Sequence, residues 1–305
     1  MTKFLIIDGN SIGCRAAFAI PKSGNDLVSR DGIPTGTLHR FFNMINKIML
    51  QLEPTHIIVC WDTDSNTFRK EIYPEYKANR YKDKESPIDI HIMHKQFGMI
   101  RKMLDMLGIK SANVQGYEGD DVVGSFAKMS RADYNYICSG DRDSWQLVNK
   151  ITSVVFPKSG FTDVDIVTPE YVEEKFGISL DNYIGLKTLQ GDTSDNIPGF
   201  TGVGPKTAAK MLTQYGSADN IAQLKLDEFT GYNKKVTAQL ENWQKQYSLL
   251  KTLVTIRTDV NVPYSFEDCE IGLLNWEELK GYMKLLDMNN FVQRIEWGAV
   301  YRLRW

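Results

Sequence analysis

The sequence predicts an α/β fold with a mainly parallel central sheet and flanking helices. In its first half, short apolar runs rich in β-branched residues alternate with helical patterns, which is typical of a parallel sheet covered by helices. After about Gly185 the strand-like runs stop and helical patterns continue. We therefore expect two domains, an α/β domain over residues 1–185 and a helical domain over residues 186–305.

Five segments are candidate strands because they combine apolar and β-branched residues over the usual length of a strand. They are residues 3–8 (KFLIID), 55–62 (THIIVCWD), 110–115 (KSANVQ, the weakest), 134–141 (YNYICSGD) and 152–157 (TSVVFP). Helical patterns cover residues 37–52 and 88–107, and a third follows Glu118. Gly108 stands where a glycine commonly ends a helix.

The composition excludes several classes of protein. With 305 residues, of which 42% are hydrophobic, the chain can bury a large core. It contains no apolar run near the roughly 20 residues that a membrane span needs, and its N-terminal apolar stretch is too short for a signal peptide. The four cysteines lie far apart without any CxxC pair, so they predict neither a zinc site nor a disulfide framework. We expect a soluble protein that works in the cytoplasm and does not bind membranes.

Acidic residues collect where the predicted strands end, and a further pair lies in the segment GDTSDNIPG. The set consists of Asp8, Asp62, Glu118, Asp120, Asp121, Asp141, Asp143, Asp192 and Asp195. Ligands of open α/β sheets bind at the carboxyl ends of the strands, so these acids should converge. Any single one has an ordinary structural alternative, such as a turn, a helix cap or the helix dipole. Together they would repel one another in a partly buried site, and bound cations would relieve that cost.

The composition of this acidic set indicates which metal it would bind. All donors are oxygens, with no nearby histidine or cysteine, which favours Mg²⁺ or Mn²⁺ over zinc. His91 and His94 do not have the spacing of a metalloprotease motif. Nine carboxylates exceed what one Mg²⁺ uses but suit two ions about 3.5 to 4 Å apart, an arrangement that hydrolyses phosphodiester bonds.

The segment GFTGVGPKTAAKML (199–212) is a candidate phosphate-binding turn. It is not a nucleotide-binding loop, because Pro205 separates Gly204 from Lys206, and so we do not expect ATP use. A glycine turn leading into a helix offers free backbone N–H groups that bind phosphate without reading bases. The candidate DNA-binding residues here are Gly202, Gly204, Lys206, Thr207 and Lys210. A plain connection between two helices is the alternative, although the absence of acidic residues from 196–218 favours phosphate binding.

Residues 62–88 form a polar, basic and tyrosine-rich stretch that is too long for an ordinary connection. Between Asn66 and Lys84 it carries six basic residues against three acidic ones. Basic and aromatic side chains mixed in this way are expected where single-stranded nucleic acid passes stacking platforms. The basic candidates are Arg69, Lys70, Lys77 and Arg80, and the aromatic ones are Phe68, Tyr73, Tyr76 and Tyr81. A solvated basic loop is the alternative.

These motifs together resemble the 5′-nuclease (flap endonuclease) family, most closely the 5′-to-3′ exonuclease domain of bacterial DNA polymerase I and stand-alone phage 5′ nucleases. The matching segments are LIIDGNS, CWDTDSNTFRKEIYPEYKANR, GYEGDDVVG, CSGDRDSWQLV, GDTSDNIPGFTGVGPKTAAKML and LVTIRTDV, from Phe4 to about Val260. The resemblance implies a PIN/resolvase-like sheet with a helical arch at about residues 63–95. It also implies a helical, duplex-DNA-binding domain with a helix-three-turn-helix.

The resemblance implies two Mg²⁺ ions, for which Mn²⁺ can substitute. It assigns Asp8, Asp62, Glu118 and Asp120 to the first ion. It assigns Asp141, Asp143, Asp192 and Asp195 to the second, with Asp121 near both or in the outer shell. It further implies a K⁺ ion on backbone carbonyls of the helix-three-turn-helix.

The resemblance also implies how the substrate is held. Lys77 and Arg80 would contact the scissile phosphate and form the catalytic set with Asp141, while Tyr76 would stack on a base. Arg15 would steer the phosphate backbone, and Arg69 and Lys70 would contribute to the DNA-binding arch.

The function implied by the resemblance is structure-specific 5′-3′ exonuclease and flap endonuclease activity in DNA replication or repair. Expected substrates are branched or 5′-ended DNA, RNA–DNA hybrids and RNA primers, and expected partners are a replication polymerase or a single-strand-binding protein. Because no polymerase follows Trp305, we expect a free-standing monomeric nuclease in a bacterial or phage-infected cell. Two alternatives stay open. One is a catalytically inactive DNA-binding protein, and the other is a PIN-type ribonuclease, which would not account for the turn at Gly202.

Overall fold

The computed structural model describes residues 1–19, 26–63, 66–79, 89–159, 163–272 and 276–288. Its strands form one six-stranded sheet: β1 (Lys3–Asp8), β2 (His56–Cys60), β3 (Lys110–Ala112), β4 (Tyr134–Cys138), β5 (Thr152–Ser159) and β6 (Asp163–Val167). The strand order is β3-β2-β1-β4-β5-β6, with β1 to β5 parallel and β6 antiparallel to β5. The predicted mainly parallel sheet is therefore confirmed.

The helices alternate with the strands in the first half and dominate the second half. They are α1 (Gly9–Phe18), α2 (Gly36–Leu52), α3 (Phe68–Ile72), α4 (Ile90–Met106), α5 (Gly119–Met129), α6 (Pro169–Phe176), α7 (Tyr183–Gln190), α8 (Pro205–Tyr215), α9 (Ala218–Ile221), α10 (Lys234–Thr237), α11 (Leu240–Val254) and α12 (Trp276–Leu285). Helix α4 starts two residues later than predicted because Asp89 caps it, accepting hydrogen bonds from the backbone N–H groups of His91 and Ile92. None of the described helices could cross a membrane.

Side chains of the sheet alternate between two hydrophobic layers, as the pleat of a strand requires. Leu5 and Ile7 of β1 pack on one face with α1, α2 and α4, whereas Phe4 and Ile6 point to the other face. That second layer continues into the core of the helical region, which includes α7, α8 and α11. The helical region and the sheet therefore share one hydrophobic core.

The chain after α11 returns to the α/β domain. The backbone N–H of Ile271 donates to Thr55 O at 3.0 Å, and Glu270 forms an antiparallel bridge with His56. Leu279 and Met283 of α12 are fully buried in the layer that contains α4. The predicted boundary at 185/186 stays a prediction, but the described residues of 256–288 pack on the first domain and do not extend the second.

Helix α5 and the returning segment approach each other closely at Gly124. A Cβ atom at this position would lie 2.8 Å from the Arg257 carbonyl oxygen and 2.9 Å from Ile256 Cγ2. Next to it, Ser125 Oγ accepts a hydrogen bond from the Val260 backbone N–H at 3.0 Å and donates to Asp121 O at 2.7 Å. Only glycine fits this contact without displacing the returning backbone.

We expect Gly124→Ala to lower the free energy of unfolding by about 1–3 kcal/mol, because the added methyl group overpacks a buried contact. Urea denaturation, monitored by circular dichroism, measures this change in the free energy of unfolding. Gly98→Ala in α4 is the matched control. A Cβ atom at this position would have no neighbour within 4 Å. Alanine is also more stable than glycine in a helix by up to about 1 kcal/mol, so this variant should be at least as stable as the wild type. Equal stability of the two variants would contradict the close approach.

Candidate metal centre

An acid-lined cleft of about 670 Å³ lies at the carboxyl ends of the parallel strands. It is centred where β1 and β4 are neighbours, the point at which the strand order reverses and where open sheets bind their ligands. Eight of the nine predicted metal-binding acids line it: Asp8, Asp62, Glu118, Asp120, Asp141, Asp143, Asp192 and Asp195. Asp121 does not line the cleft. The convergence expected from the sequence is thus present in the structure.

The first group of acids is held by backbone and hydroxyl donors. Asp8 ends β1 and caps α1, with Oδ1 accepting from the Ser11 N–H at 2.9 Å and Oδ2 from Ser139 Oγ at 2.8 Å. Asp62 Oδ1 accepts from the Gly119 N–H at 2.7 Å, which ties the end of β2 to the start of α5. These contacts fix the Asp8 and Asp62 carboxylates at the ends of β1 and β2, next to the start of α5.

Glu118 completes one side of the cleft and is held by cationic and phenolic donors. Its Oε2 accepts from Tyr76 Oη at 2.9 Å, and its Oε1 pairs with the Lys77 ammonium group. Tyr76 Oη also lies 3.0 Å from Asp195 Oδ2, so one phenol bridges acids assigned to different ions. Lys77 has a left-handed backbone with φ of 57°.

Two acids of the second group contact Lys187, a residue that the sequence analysis missed. Lys187 Nζ lies 2.7 Å from Asp143 Oδ1 and 2.9 Å from Asp192 Oδ2. Asp141 caps the short helical turn that follows β4 and accepts from the Asp143 N–H at 2.9 Å. The signal available in the sequence was a single lysine among the apolar residues of α7, five positions before Asp192.

Several acids of the cleft have raised pKa values because they are buried close to other negative charges. Burial, reinforced by the charges of Asp62 and Asp141, raises the pKa of Asp8 to about 7. Burial also raises the pKa of Asp143 to about 6, where the negative charge of Asp141 adds to the effect and Lys187 opposes it. The pKa of Asp120 is raised well above its usual range by burial and by the neighbouring carboxylates. Crowded carboxylates of this kind favour a bound cation.

The donor set fits hard divalent cations, because every candidate ligand is a carboxylate oxygen. Among the described residues, no group of three or more Asp, Glu, His or Cys side chains is close enough together to hold a metal ion as it stands. The carboxylates instead contact Lys77, Lys187 and local hydrogen-bond donors. The division of the acids between two ions therefore stays a prediction.

Two predicted site residues form a buried ion pair at the wall of the cleft, which Arg69 lines and Asp121 does not. Arg69 is 3% exposed and Asp121 is 0% exposed, and the guanidinium contacts both carboxylate oxygens at 2.6 and 2.8 Å. The prediction that Arg69 contacts DNA is corrected, because its donors are used inside the protein. Asp121 accepts hydrogen bonds from Arg69 and does not line the cleft, and its predicted place near both ions or in the outer shell stays a prediction.

The residues of the predicted arch lie in different environments. Tyr76 is 3% exposed and its hydroxyl is engaged by two acids, which corrects its predicted role as a stacking platform. Lys70 is exposed on α3 and remains a candidate DNA contact. Arg80 lies outside the described residues, as does the part of the predicted arch from 80 to 88.

Arg15 and the glycine turn have distinct environments. Arg15 donates to the carbonyl groups of Pro157 and Lys158 on β5, so its guanidinium is bound at the rim, and its predicted role in steering phosphate stays untested. Gly202 has φ of +85°, which favours glycine, and Gly204 caps α8. Lys206 and Lys210 of α8 are exposed, and Thr207 is half-buried. The turn therefore presents its basic side chains to solvent.

The fold is thus a parallel sheet with an acid-lined cleft at its reversal point, joined to a helical unit with an exposed basic turn, which is the arrangement of a metal-dependent hydrolase. The chain belongs to the 5′-3′ exonuclease family. The family's N-terminal resolvase-like domain matches residues 3–177, and its C-terminal SAM fold matches residues 178–277. Members of this family are metal-dependent nucleases, that is, hydrolases.

Individual relatives agree with this assignment. DNA polymerase I of Bacillus subtilis is 36% identical over 295 residues, which cover 96% of this chain and 32% of the polymerase. The chain thus spans about a third of the length of the curated relatives it matches. The zinc-bound 5′-exonuclease of phage T5 has a similar fold, with a TM-score of 0.63 and 22% identity over 83% of this chain and 88% of that one. The catalytic core of Rad2 in complex with a DNA substrate also has a similar fold. Its TM-score is 0.62, with 16% identity over 93% of this chain and 88% of that one.

Proposed function

We propose that this chain is a structure-specific 5′-3′ exonuclease and flap endonuclease that hydrolyses phosphodiester bonds of DNA and of RNA primers during replication or repair. The observation that carries the proposal is the cleft in which acids from four strand ends and from the 192–195 loop meet. The catalytically inactive alternative is disfavoured because the full set of cleft acids is present. The substrates are branched or 5′-ended DNA and RNA–DNA hybrids.

The metals of the proposed site are two Mg²⁺ ions, with Mn²⁺ as a substitute. Asp8, Asp62, Glu118 and Asp120 would hold one ion, and Asp141, Asp143, Asp192 and Asp195 the other. Two such ions supply an activated water and a positive clamp on the attacking and leaving oxygens of the phosphate. The backbone carbonyls around Gly202 would hold the proposed K⁺ ion.

Two lysines of the chain form ion pairs with the carboxylates of the cleft. Lys77 Nζ is paired with Glu118 and lies 3.9 Å from Asp195 Oδ2. Its ammonium group therefore lies at the cleft, where it could form an ion pair with a phosphate of the substrate. Lys187 neutralises Asp143 and Asp192 in the same way. Both lysines would exchange these carboxylates for substrate or bulk water when metal ions bind. Arg80 is proposed to join Lys77 on the scissile phosphate, and Asp141 links the two groups of acids.

The biological setting is part of the proposal. The curated relatives that the chain matches include bacterial DNA polymerase I, which supports a cytoplasmic enzyme of a bacterial or phage-infected cell. A replication polymerase or a single-strand-binding protein is the proposed partner, and the working form is a monomer.

The deciding experiment uses a duplex DNA that carries a labelled 5′ flap, with Mg²⁺ as the only divalent cation. We expect cleavage near the junction, loss of cleavage in EDTA, and slower cleavage of unstructured RNA of equal length. Binding of the flap DNA without cleavage would identify a catalytically inactive DNA-binding protein instead. Faster cleavage of the unstructured RNA would identify a PIN-type ribonuclease.

The glycine turn before α8 gives a second prediction. Lys206 is exposed at the first turn of α8 and contributes one positive charge to phosphate binding, so Lys206→Ala should weaken duplex binding about equally for all sequences. The logarithm of the DNA association constant falls with the logarithm of the salt concentration, and the magnitude of this slope should decrease by about 1 in the variant. Fluorescence anisotropy over a salt series measures both.

The matched control for this prediction is Lys47→Ala. Lys47 is exposed near the end of α2, which leads into the start of β2 and therefore lies at the sheet edge opposite the cleft. Its substitution should leave the salt slope unchanged. An unchanged slope for Lys206→Ala would remove this lysine from the DNA interface.

A further inference from the structure

The Arg69–Asp121 ion pair joins three separate segments of the chain. Besides its two contacts with Asp121, Arg69 donates from Nε to Leu253 O at 2.9 Å and from Nη2 to Thr255 O at 2.9 Å. Asp121 Oδ1 accepts from the Arg257 backbone N–H at 2.8 Å. The pair therefore connects α3, the first turn of α5 and the segment that follows α11.

The same pair borders the carboxylates of the cleft. Asp121 Oδ2 accepts from the Glu118 backbone N–H at 3.1 Å, which fixes the residue that caps α5. Arg69 Nη1 lies 3.3 Å from Glu118 Oε2. On the other side of the network, α3 leads directly to Tyr76 and Lys77, whose side chains contact the Glu118 carboxylate. Glu118 is thus held from its backbone and from both of its oxygens.

Stability alone is a weak reason for such a pair. Taking both charges out of water costs several kcal/mol per ion, and a buried ion pair is often no more stable than apolar residues of the same volume. What a bidentate pair provides is geometry, since the planar guanidinium fits the two carboxylate oxygens in one orientation. A geometric role is useful at the start of α5, where Glu118 is the capping residue and Asp120 lies in the first turn.

We propose that Arg69 and Asp121 are positioning residues, which hold the start of α5 and the base of the Lys77-bearing turn in the arrangement that the metal site requires. The inference rests on the proposed function but concerns two residues that are not among the eight proposed metal ligands. Groups that orient metal ligands in this way typically affect metal affinity or activity by about 10- to 100-fold.

The test compares Arg69→Lys, Asp121→Asn and the double variant with the wild type. Calorimetric titration with Mn²⁺ alone measures metal affinity, and single-turnover cleavage of a 5′-flap DNA measures the rate. Each single variant should weaken Mn²⁺ binding and lower the rate by about 10-fold or more. The double variant should be little worse than the worse single one, because both changes break the same pair. Faster amide exchange at residues 253–260 should accompany the loss.

Arg131→Lys is the matched control. Arg131 pairs with Glu267 at 3.1 Å on the surface, where both side chains are well exposed, so the same chemical change should alter neither metal binding nor rate. A direct metal-binding role for Asp121 would show as lost Mn²⁺ affinity in Asp121→Asn and unchanged affinity in Arg69→Lys. A DNA-contact role for Arg69 would show as a raised DNA Kd with unchanged Mn²⁺ affinity. Either result would overturn the proposal.

Two further readouts keep the result interpretable. Far-ultraviolet circular dichroism and urea denaturation show whether each variant folds, and failure of both single variants to fold would assign the pair to global stability and overturn the proposal. Wild-type protein that binds Mn²⁺ but cleaves no flap DNA would refute the proposed function. The change in Mn²⁺ affinity in the variants would still test the positioning role.

Discussion

Asp141→Asn should lower the rate of single-turnover flap cleavage by on the order of 10³-fold while changing the DNA Kd by less than about threefold. Asp141 belongs to the second group of acids, but its charge acts on both groups, since it contributes to the raised pKa of Asp8 and Asp120 in the first group and of Asp143 in the second. Asparagine keeps the size of the side chain and an acceptor oxygen but removes the charge. The loss should therefore fall on metal binding and chemistry and spare the affinity for the DNA backbone.

Quenched-flow cleavage of a labelled flap substrate and anisotropy in Ca²⁺ measure the two quantities separately. Asp181→Asn is the matched control, because Asp181 is exposed and does not line the cleft. We expect wild-type rates for it. Full activity of Asp141→Asn would reject the two-metal assignment, whereas a large loss of DNA affinity would mean that Asp141 shapes the DNA surface instead.

The sequence could predict the convergence of acids because a strand ends at a definite edge of a sheet. Asp8 and Asp141 follow neighbouring parallel strands, so their meeting requires only the strand order. The sequence could not separate Asp120 from Asp121. Adjacent residues of a helix point about 100° apart, and which of the two faces the cleft depends on how α5 packs. The burial of Asp121 follows from Arg69, 52 positions away.

Other features depended on long-range packing that local patterns do not report. β6 is a half-exposed edge strand in which Asp163 and Asp165 interrupt the apolar pattern, so it did not stand out from the sequence. Tyr76 was predicted at the surface because aromatic residues in a basic loop suit base stacking. Its burial arises because Lys77 N–H donates to Asp195 O at 2.9 Å, which docks the turn on the 192–195 loop.

The charge of the cleft should make the metal-free protein more stable at about pH 5.5 than at about pH 8. The pKa values of Asp8 and Asp143 are raised from 3.8 to about 7 and about 6, so the folded state binds these protons more tightly than the unfolded chain. The stability that these protons provide is greatest at low pH and is lost as the pH rises through about 6 for Asp143 and about 7 for Asp8. The opposite sign holds for Asp26 and Asp219, whose pKa values are lowered by Arg40 and Lys251. Their contribution is lost only near pH 4 and below.

A tenfold change in proton affinity corresponds to about 1.4 kcal/mol, so the free energy of unfolding in EDTA should be higher at about pH 5.5 than at about pH 8 by about 2 kcal/mol or more. Millimolar Mg²⁺ should raise Tm at about pH 8, where the acids are ionised, and have little effect at about pH 5.5, where protons compete for the same oxygens. Differential scanning calorimetry at both pH values, with EDTA and with Mg²⁺, measures this. Asp141→Asn removes one of the repelling charges, so in EDTA at about pH 8 it should be more stable than the wild type although it is inactive. A metal-free wild type that is most stable at about pH 8 would mean that the cleft acids do not repel one another as their burial implies.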